Sequence, residues 1–151
     1  MRALVFSIFL YACESWTLTA ERQRKILTTE MRCYRTILGI SYLDHITNAS
    51  IRDKIKLYVK NYEDLLTTVK RRKLQWYGHV TRSNGLSKTI LQGTCEGRRH
   101  RGRQKKRWTD NIEEWTGKTF AETQSLAHDR QKWRRVIGES ILRCPHDSVQ
   151  S

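Results

Sequence analysis

The four cysteines, at positions 13, 33, 95 and 144, stand too far apart to form any CxxC pair. That spacing argues against a disulfide framework, and against structural zinc sites in which neighbouring ligands share one ion. Cys95 with His100 and Cys144 with His146 are the only candidate ligand set, loosely spaced on one side and too tight on the other. Reduced, packed thiols are the expectation. The chain also has no Asp-Asp pair. Two-metal phosphoryl transfer needs carboxylates converging on ions about 4 Å apart. The nearest approaches to such a cluster are Glu63-Asp64 and Asp110 with Glu113-Glu114, and both read as acids at helix N-termini. No catalytic residue, resident metal, cofactor or small-molecule substrate is therefore expected. Hydrophobic residues make up 38% of the chain, below the usual share of about 45–50%. Five Trp and six Tyr compensate in part, because each aromatic buries a large surface. The longest apolar run, Ala3–Ala12, covers about ten residues, too few to cross a bilayer. Tyr11 fits poorly before a cleavage site, which argues against an export signal. The expected location is nucleus or cytoplasm, with no membrane partner.

What is present is positive charge. The net charge is +14, and +12 of it falls between Leu66 and Trp108. That stretch holds Lys70, Arg71, Arg72, Lys73, Arg82, Lys88, Arg98, Arg99, Arg101, Arg103, Lys105, Lys106 and Arg107 against the single acid Glu96. Its densest part runs from Arg98 to Arg107, broken by Gly102 and closed by Trp108. Like charges this close repel one another unless an anion neutralises them. A localised basic stretch is the footprint of a polyanion binder, and nucleic acid is the commonest such partner. A solvated loop or a nuclear-import signal has the same composition.

Along the chain the hydrophobic period is helical. The apolar run at 3–12 suits a buried element, strand or helix, with helix favoured by the helical period downstream of it. Thr19 reads as an N-cap for a helix ending at Gly39, with Ile26, Leu27, Met31, Tyr34, Ile37 and Leu38 on its buried stripe. Thr47 or Asn48 starts a short helix to about Val59. A longer one spans about Tyr62–Thr81, with Asn61 as its cap and Leu65, Leu66, Val69, Trp76, Tyr77 and Val80 as its stripe. Lys73 falls inside that stripe, so it either snorkels or meets an anion there, while Arg71 and Arg72 point away. His79 could contact phosphate, cap the helix end or pack. Residues 82–108 read as a basic Gly/Arg/Lys linker, with a short helix or strand at Ser87–Gln92. Thr109, Thr119 and Asp129 each start a helix, the last carrying Trp133, Val136, Ile137 and Ile141 on one side. Trp76 and Tyr77 are expected in the core. Trp108 is the better candidate for stacking on a base. The resulting division is 1–16, an apolar element; 17–81, a helical segment; 82–108, the linker; 109–143, C-terminal helices; and 144–151, a tail. The fold class is mainly α, a small irregular helical assembly around a long basic loop.

Several stretches, taken in order, resemble one known family. They are Leu10-Tyr11-Ala12-Cys13-Glu14-Ser15-Trp16-Thr17-Leu18-Thr19, Met31–Ile40, Asp44–Asn48, Arg71–Val80, Gly97–Trp108 and Asp129–Arg134. Together they are similar to the C-terminal region of endonuclease–reverse transcriptases of RTE/BovB-like non-LTR retrotransposons. The resemblance covers roughly residues 4–137. It implies a fragment that begins near the end of a polymerase thumb and continues into a basic region. The family's Tyr/Phe-x-Asp-Asp polymerase motif is absent from this chain. Two positions depart from the family pattern: Ala12 replaces a usual Gly, read as a small packing change, and Gln104 replaces a usual Pro, which loosens the basic loop.

The expectation is a non-enzymatic, nucleic-acid-binding module. Lys70, Arg71, Arg72, Lys73, Arg98, Arg99, Arg101, Arg103, Lys105, Lys106, Arg107 and Trp108 would contact an RNA or DNA backbone, and the missing reverse transcriptase domains are a further partner. The alternative is a remnant, or a helical protein-interaction domain without a nucleic-acid role.

Overall fold

A computed structural model describes residues 5–92 and 105–142. Eight helices and no strand occur among them. They are α1 (Ser7–Phe9), α2 (Ala20–Ile37), α3 (Asn48–Tyr58), α4 (Leu65–Arg82), α5 (Leu86–Gln92), α6 (Asp110–Thr116), α7 (Phe120–His128) and α8 (Arg130–Leu142). The mainly helical expectation holds.

The helix boundaries follow local chemistry. Thr19 Oγ1 accepts from the Arg22 amide at 3.3 Å, and Thr47 Oγ1 accepts from Ser50 at 3.3 Å. Each satisfies a backbone donor that the first turn leaves without a partner. Thr119 and Glu122 form a reciprocal capping box at the start of α7. Asp129 Oδ1 accepts from the amides of Gln131 and Lys132 and opens α8. Gly39 follows α2 and Gly117 follows α6, each with φ near +65°, a conformation that favours glycine.

Three local expectations are corrected. Of the helix expected over Ala3–Ala12, the described residues 5–12 hold a short helical stretch with one α turn, Ser7–Phe9, before the chain tightens into a 3-10 turn at Cys13–Ser15. The cause lies at Ala12, whose φ of +53° reverses the chain. The cap of α4 is Asp64 rather than Asn61. Its carboxylate accepts from the Thr67 amide at 2.9 Å and from the Thr67 hydroxyl at 2.6 Å, so α4 starts three residues later than expected. Thr109 does not cap α6 with its side chain. Asp110 accepts from the Arg107 amide at 2.7 Å instead and holds the approach to that helix.

Helix α4 is the centre of the assembly. It packs against α2, the Cys13–Ser15 turn, α7 and α8, while α6 closes on α7 and α8. Leu65, Val69, Leu74, Tyr77 and Val80 of α4 are buried, together with Ile26, Tyr34, Ile51, Ile112, Trp115, Ala127 and Trp133. The segments 1–16, 17–81 and 109–143 thus contribute to one core. Gly78 lets α8 approach α4: a Cβ there would stand 2.3 Å from Trp133 Cδ1. The Trp133 indole uses that space, and its Nε1 donates to the Leu74 carbonyl at 2.9 Å.

Candidate nucleic-acid interface

The basic residues of α4 divide by the face they occupy. Lys73 is completely buried. Its Nζ donates to the Trp16 carbonyl at 2.8 Å and to Asn111 Oδ1 at 2.9 Å. It also lies 4.3 Å from the centre of the Trp108 ring and 5.5 Å from that of Trp115, where the faces of both rings attract a cation. Burial pushes its pKa down to about 7, and the Lys106 charge adds to that effect. Lys70 is buried as well, 5.5 Å from the Trp115 ring. Both lysines, expected to contact phosphate, are thus packed inside the assembly. Lys73 neither snorkels nor meets an anion, because its partners are a backbone carbonyl, an amide oxygen and indole rings.

Trp108, expected to stack on a base, packs against other side chains instead. Its ring stacks on Tyr77 at 6.3 Å and meets Trp76 edge-on at 5.3 Å. Its Nε1 donates to the Glu14 carbonyl at 2.8 Å. The ring is half-buried and packs against the core, with one neighbour stacked on it and an ammonium facing it.

The remaining expected contacts lie at the surface. Arg71 and Arg72 are exposed. Arg71 pairs with Glu63 at 2.7 Å, and Arg72 Nη1 donates to the Leu10 carbonyl at 3.2 Å. Lys105 and Arg107 are exposed, and Lys106 pairs with Glu114. Arg98, Arg99, Arg101 and Arg103 lie outside the described residues, as do Cys95, His100, Cys144 and His146. Among the described residues, no group of three His, Cys, Asp or Glu is placed to hold a metal. Of the carboxylates weighed for catalysis, Asp64 and Asp110 accept from backbone amides, and Glu63 and Glu114 pair with cations.

The structure brings together a different set. Between α4 and α8 runs an open groove of about 820 Å³. One wall is Arg71, Gln75, His79 and Arg82, whose spacing of 4, 4 and 3 puts them on one face of α4. At 1.5 Å per residue that wall is about 16 Å long. The other side is Arg130, Trp133, Arg134, Ile137, Gly138, Ile141 and Leu142 of α8. Among the described residues, four arginines and a histidine line the groove, and no carboxylate does. Arg82 Nη1 donates to the Ala127 carbonyl at 2.6 Å, which fixes the guanidinium beside the start of α8. Partial burial, then Arg130 and Arg134, lower the Arg82 pKa, so three positive groups share one end of the groove. Such a cluster attracts a shared anion.

Sequence reasoning missed Arg82, Arg130 and Arg134 as site residues. Arg82 ends α4, where a cation is ordinary, and Arg130 and Arg134, in the first turns of α8, read as charges on a solvated face. The available signal was the register of Arg71, Gln75, His79 and Arg82, but the opposing wall comes from a distant helix. His79, left open between phosphate contact, capping and packing, is exposed and lines the groove.

No family model matches this chain, and no solved structure matches it. It is similar to a putative uncharacterized transposon-derived protein from Caenorhabditis elegans, with 27% identity over 144 residues. The match covers 89% of this chain and 51% of that protein, so the chain spans about half of its relative's length.

Proposed function

We propose that this chain is a nucleic-acid-binding module derived from the C-terminal region of a non-LTR retrotransposon reverse transcriptase, without polymerase or endonuclease chemistry of its own. The transposon-derived relative and the ordered motifs from Leu10 to Arg134 support the origin. The observation that carries the binding role is the α4–α8 groove, lined by Arg71, Arg82, Arg130, Arg134 and His79 with no carboxylate among its described lining residues. Arg72, Lys105, Lys106 and Arg107, with Arg98, Arg99, Arg101 and Arg103, are further proposed phosphate contacts. Contacts of this kind position a backbone without reading its sequence.

The test is fluorescence anisotropy of the purified chain with labelled RNA and DNA across a salt series. Arg130→Ser combined with Arg134→Ser weakens binding and reduces the log–log salt slope by about 1.4 on a single strand. An unchanged affinity and slope in a folded double variant would sink the proposal.

A second reading, a helical protein-interaction domain, rests on another surface. Phe6, Tyr34, Ile37, Leu38, Ile55, Tyr58 and Val59 line an apolar pocket of about 370 Å³. Exposed Ile8 and Leu57 add to the apolar surface of α1 and α3. Salt-independent association with a protein, together with no nucleic-acid binding at low salt, is the result that favours it.

A further inference from the structure

The described glycines differ in why they are glycine. Gly39 takes a positive φ, and Gly78 makes room for the Trp133 indole. Gly85 lies in the turn before α5. Gly138 has none of these reasons. It sits inside α8, its backbone is ordinary, and a Cβ built there meets nothing within 4 Å. Glycine is the poorest helix former except proline, so neither the helix nor its packing explains this residue. Its position does. Gly138 is part of the α8 wall of the groove, beside Ile137 and Ile141 and one turn beyond Arg134. The missing side chain leaves open space between the cationic end of that wall, Arg130 and Arg134, and its apolar end, Ile141 and Leu142.

Resting on the binding role proposed above, we infer that the α4–α8 groove takes a single nucleic-acid strand, with its phosphates on Arg82, Arg130 and Arg134 and an unstacked base in the gap kept open by Gly138. Width and chemistry both point to a single strand. Packed helices stand about 8–10 Å apart, axis to axis. A duplex, whose major groove alone is about 12 Å wide, rides on the rims of such a furrow and cannot reach its floor. Trp133 and Ile137 are buried, and the apolar lining that stays accessible is half-buried Ile141 and exposed Leu142. Phosphate and sugar do not cover apolar surface, whereas an unstacked base does. In a paired duplex the bases are held in the stack, so only a single strand presents charge and an apolar face together.

The experiment compares Gly138→Met with the unsubstituted chain. The probes are a labelled uridine homopolymer of about twelve nucleotides and a labelled DNA duplex of about sixteen base pairs, both titrated by anisotropy, with thermal unfolding of each protein. The expected result is a folded variant, at least as stable as the parent, that loses tenfold or more in affinity for the strand and keeps its duplex affinity. Unchanged strand binding by Gly138→Met overturns the inference. If the Arg130→Ser, Arg134→Ser variant still binds more weakly, the phosphate role survives without it. If the arginine changes also have no effect, both readings fall. Equal loss on strand and duplex overturns the inference too, because the groove would then not distinguish them. Should methionine prevent folding, Gly138→Ser and Gly138→Gln provide a graded series. Strand affinity that falls with side-chain size supports the inference, and strand affinity independent of size overturns it.

Discussion

At the level of single residues, Ala12 shows how backbone geometry alters the meaning of a substitution. It stands where the resembled family usually has glycine. A small change of packing was the expectation. The residue is exposed, however, and its φ is +53°, so its methyl group meets its own backbone rather than a neighbour. An L side chain in this region costs about 1–2 kcal/mol. Glycine relieves that cost and gives part of it back through the greater freedom of the unfolded chain. Ala12→Gly is accordingly expected to stabilise the protein by about 0.5–1 kcal/mol. Chemical denaturation of the two proteins measures it, and a destabilised glycine variant would refute the backbone account.

Between elements, the contact of α4 with α8 depends on an absence. Gly78 leaves the space that the Trp133 ring fills, and the ring's N–H reaches the Leu74 carbonyl only from there. Adding one methyl group forces the indole out, with loss of its burial and its hydrogen bond. Gly78→Ala is expected to destabilise by about 2 kcal/mol or more, since overpacking and a lost buried hydrogen bond combine. Good helix propensity at alanine works in the opposite direction by up to about 1 kcal/mol, so a neutral or stabilised variant would show that α8 does not pack as described. The same displacement removes one wall of the basic groove. Strand binding should therefore weaken along with stability. Gly138, where an added Cβ meets nothing within 4 Å, separates the two effects.

Across the molecule as a whole, Lys73 joins parts of the chain that are distant in sequence. It links the Trp16 carbonyl, α4, Asn111 of α6 and the Trp108 ring. Asn111 is itself tied to Leu18, accepting from its amide and donating to its carbonyl, both at 2.8 Å. Deprotonation leaves Lys73 two N–H donors, enough for both hydrogen bonds. Its pKa is about 7 in the folded chain against 10.5 as the ordinary value. Between those values the unfolded chain binds more protons, so stability rises with pH from about 7 to 10.5 and is flat below that window as far as this group is concerned. The expected gain is of the order of 1–3 kcal/mol, less than the full shift would give because the carbonyl, the amide oxygen and the indoles also favour the ammonium. Lys73→Met removes this group's contribution to the slope. Denaturation of both proteins at a series of pH values tests it: identical slopes would mean that Lys73 keeps its proton throughout.

The helices themselves were legible in the sequence because their causes are local. Thr19, Thr47 and Thr119 cap helices through donors three residues on, Gly39 ends α2, and Trp133, Val136 and Ile137 keep to one face of α8. Positive charge was legible as composition, and it suggested a polyanion before any geometry was known. Which cations face solvent was not legible. Lys70 and Lys73 belong to the densest basic run of α4, yet burial against indoles and a distant asparagine removes them from the surface. Trp108 looks like a stacking residue beside a basic run until Tyr77 and Lys73 occupy it. Arg82, Arg130 and Arg134 look like separate surface charges until α8 packs on α4. Hydrogen bonding at helix ends and hydrophobic period act over three or four residues, so the order of residues was enough to set the helices. Desolvation and the meeting of two walls involve residues far apart along the chain, so the place of the usable charge was set by packing alone.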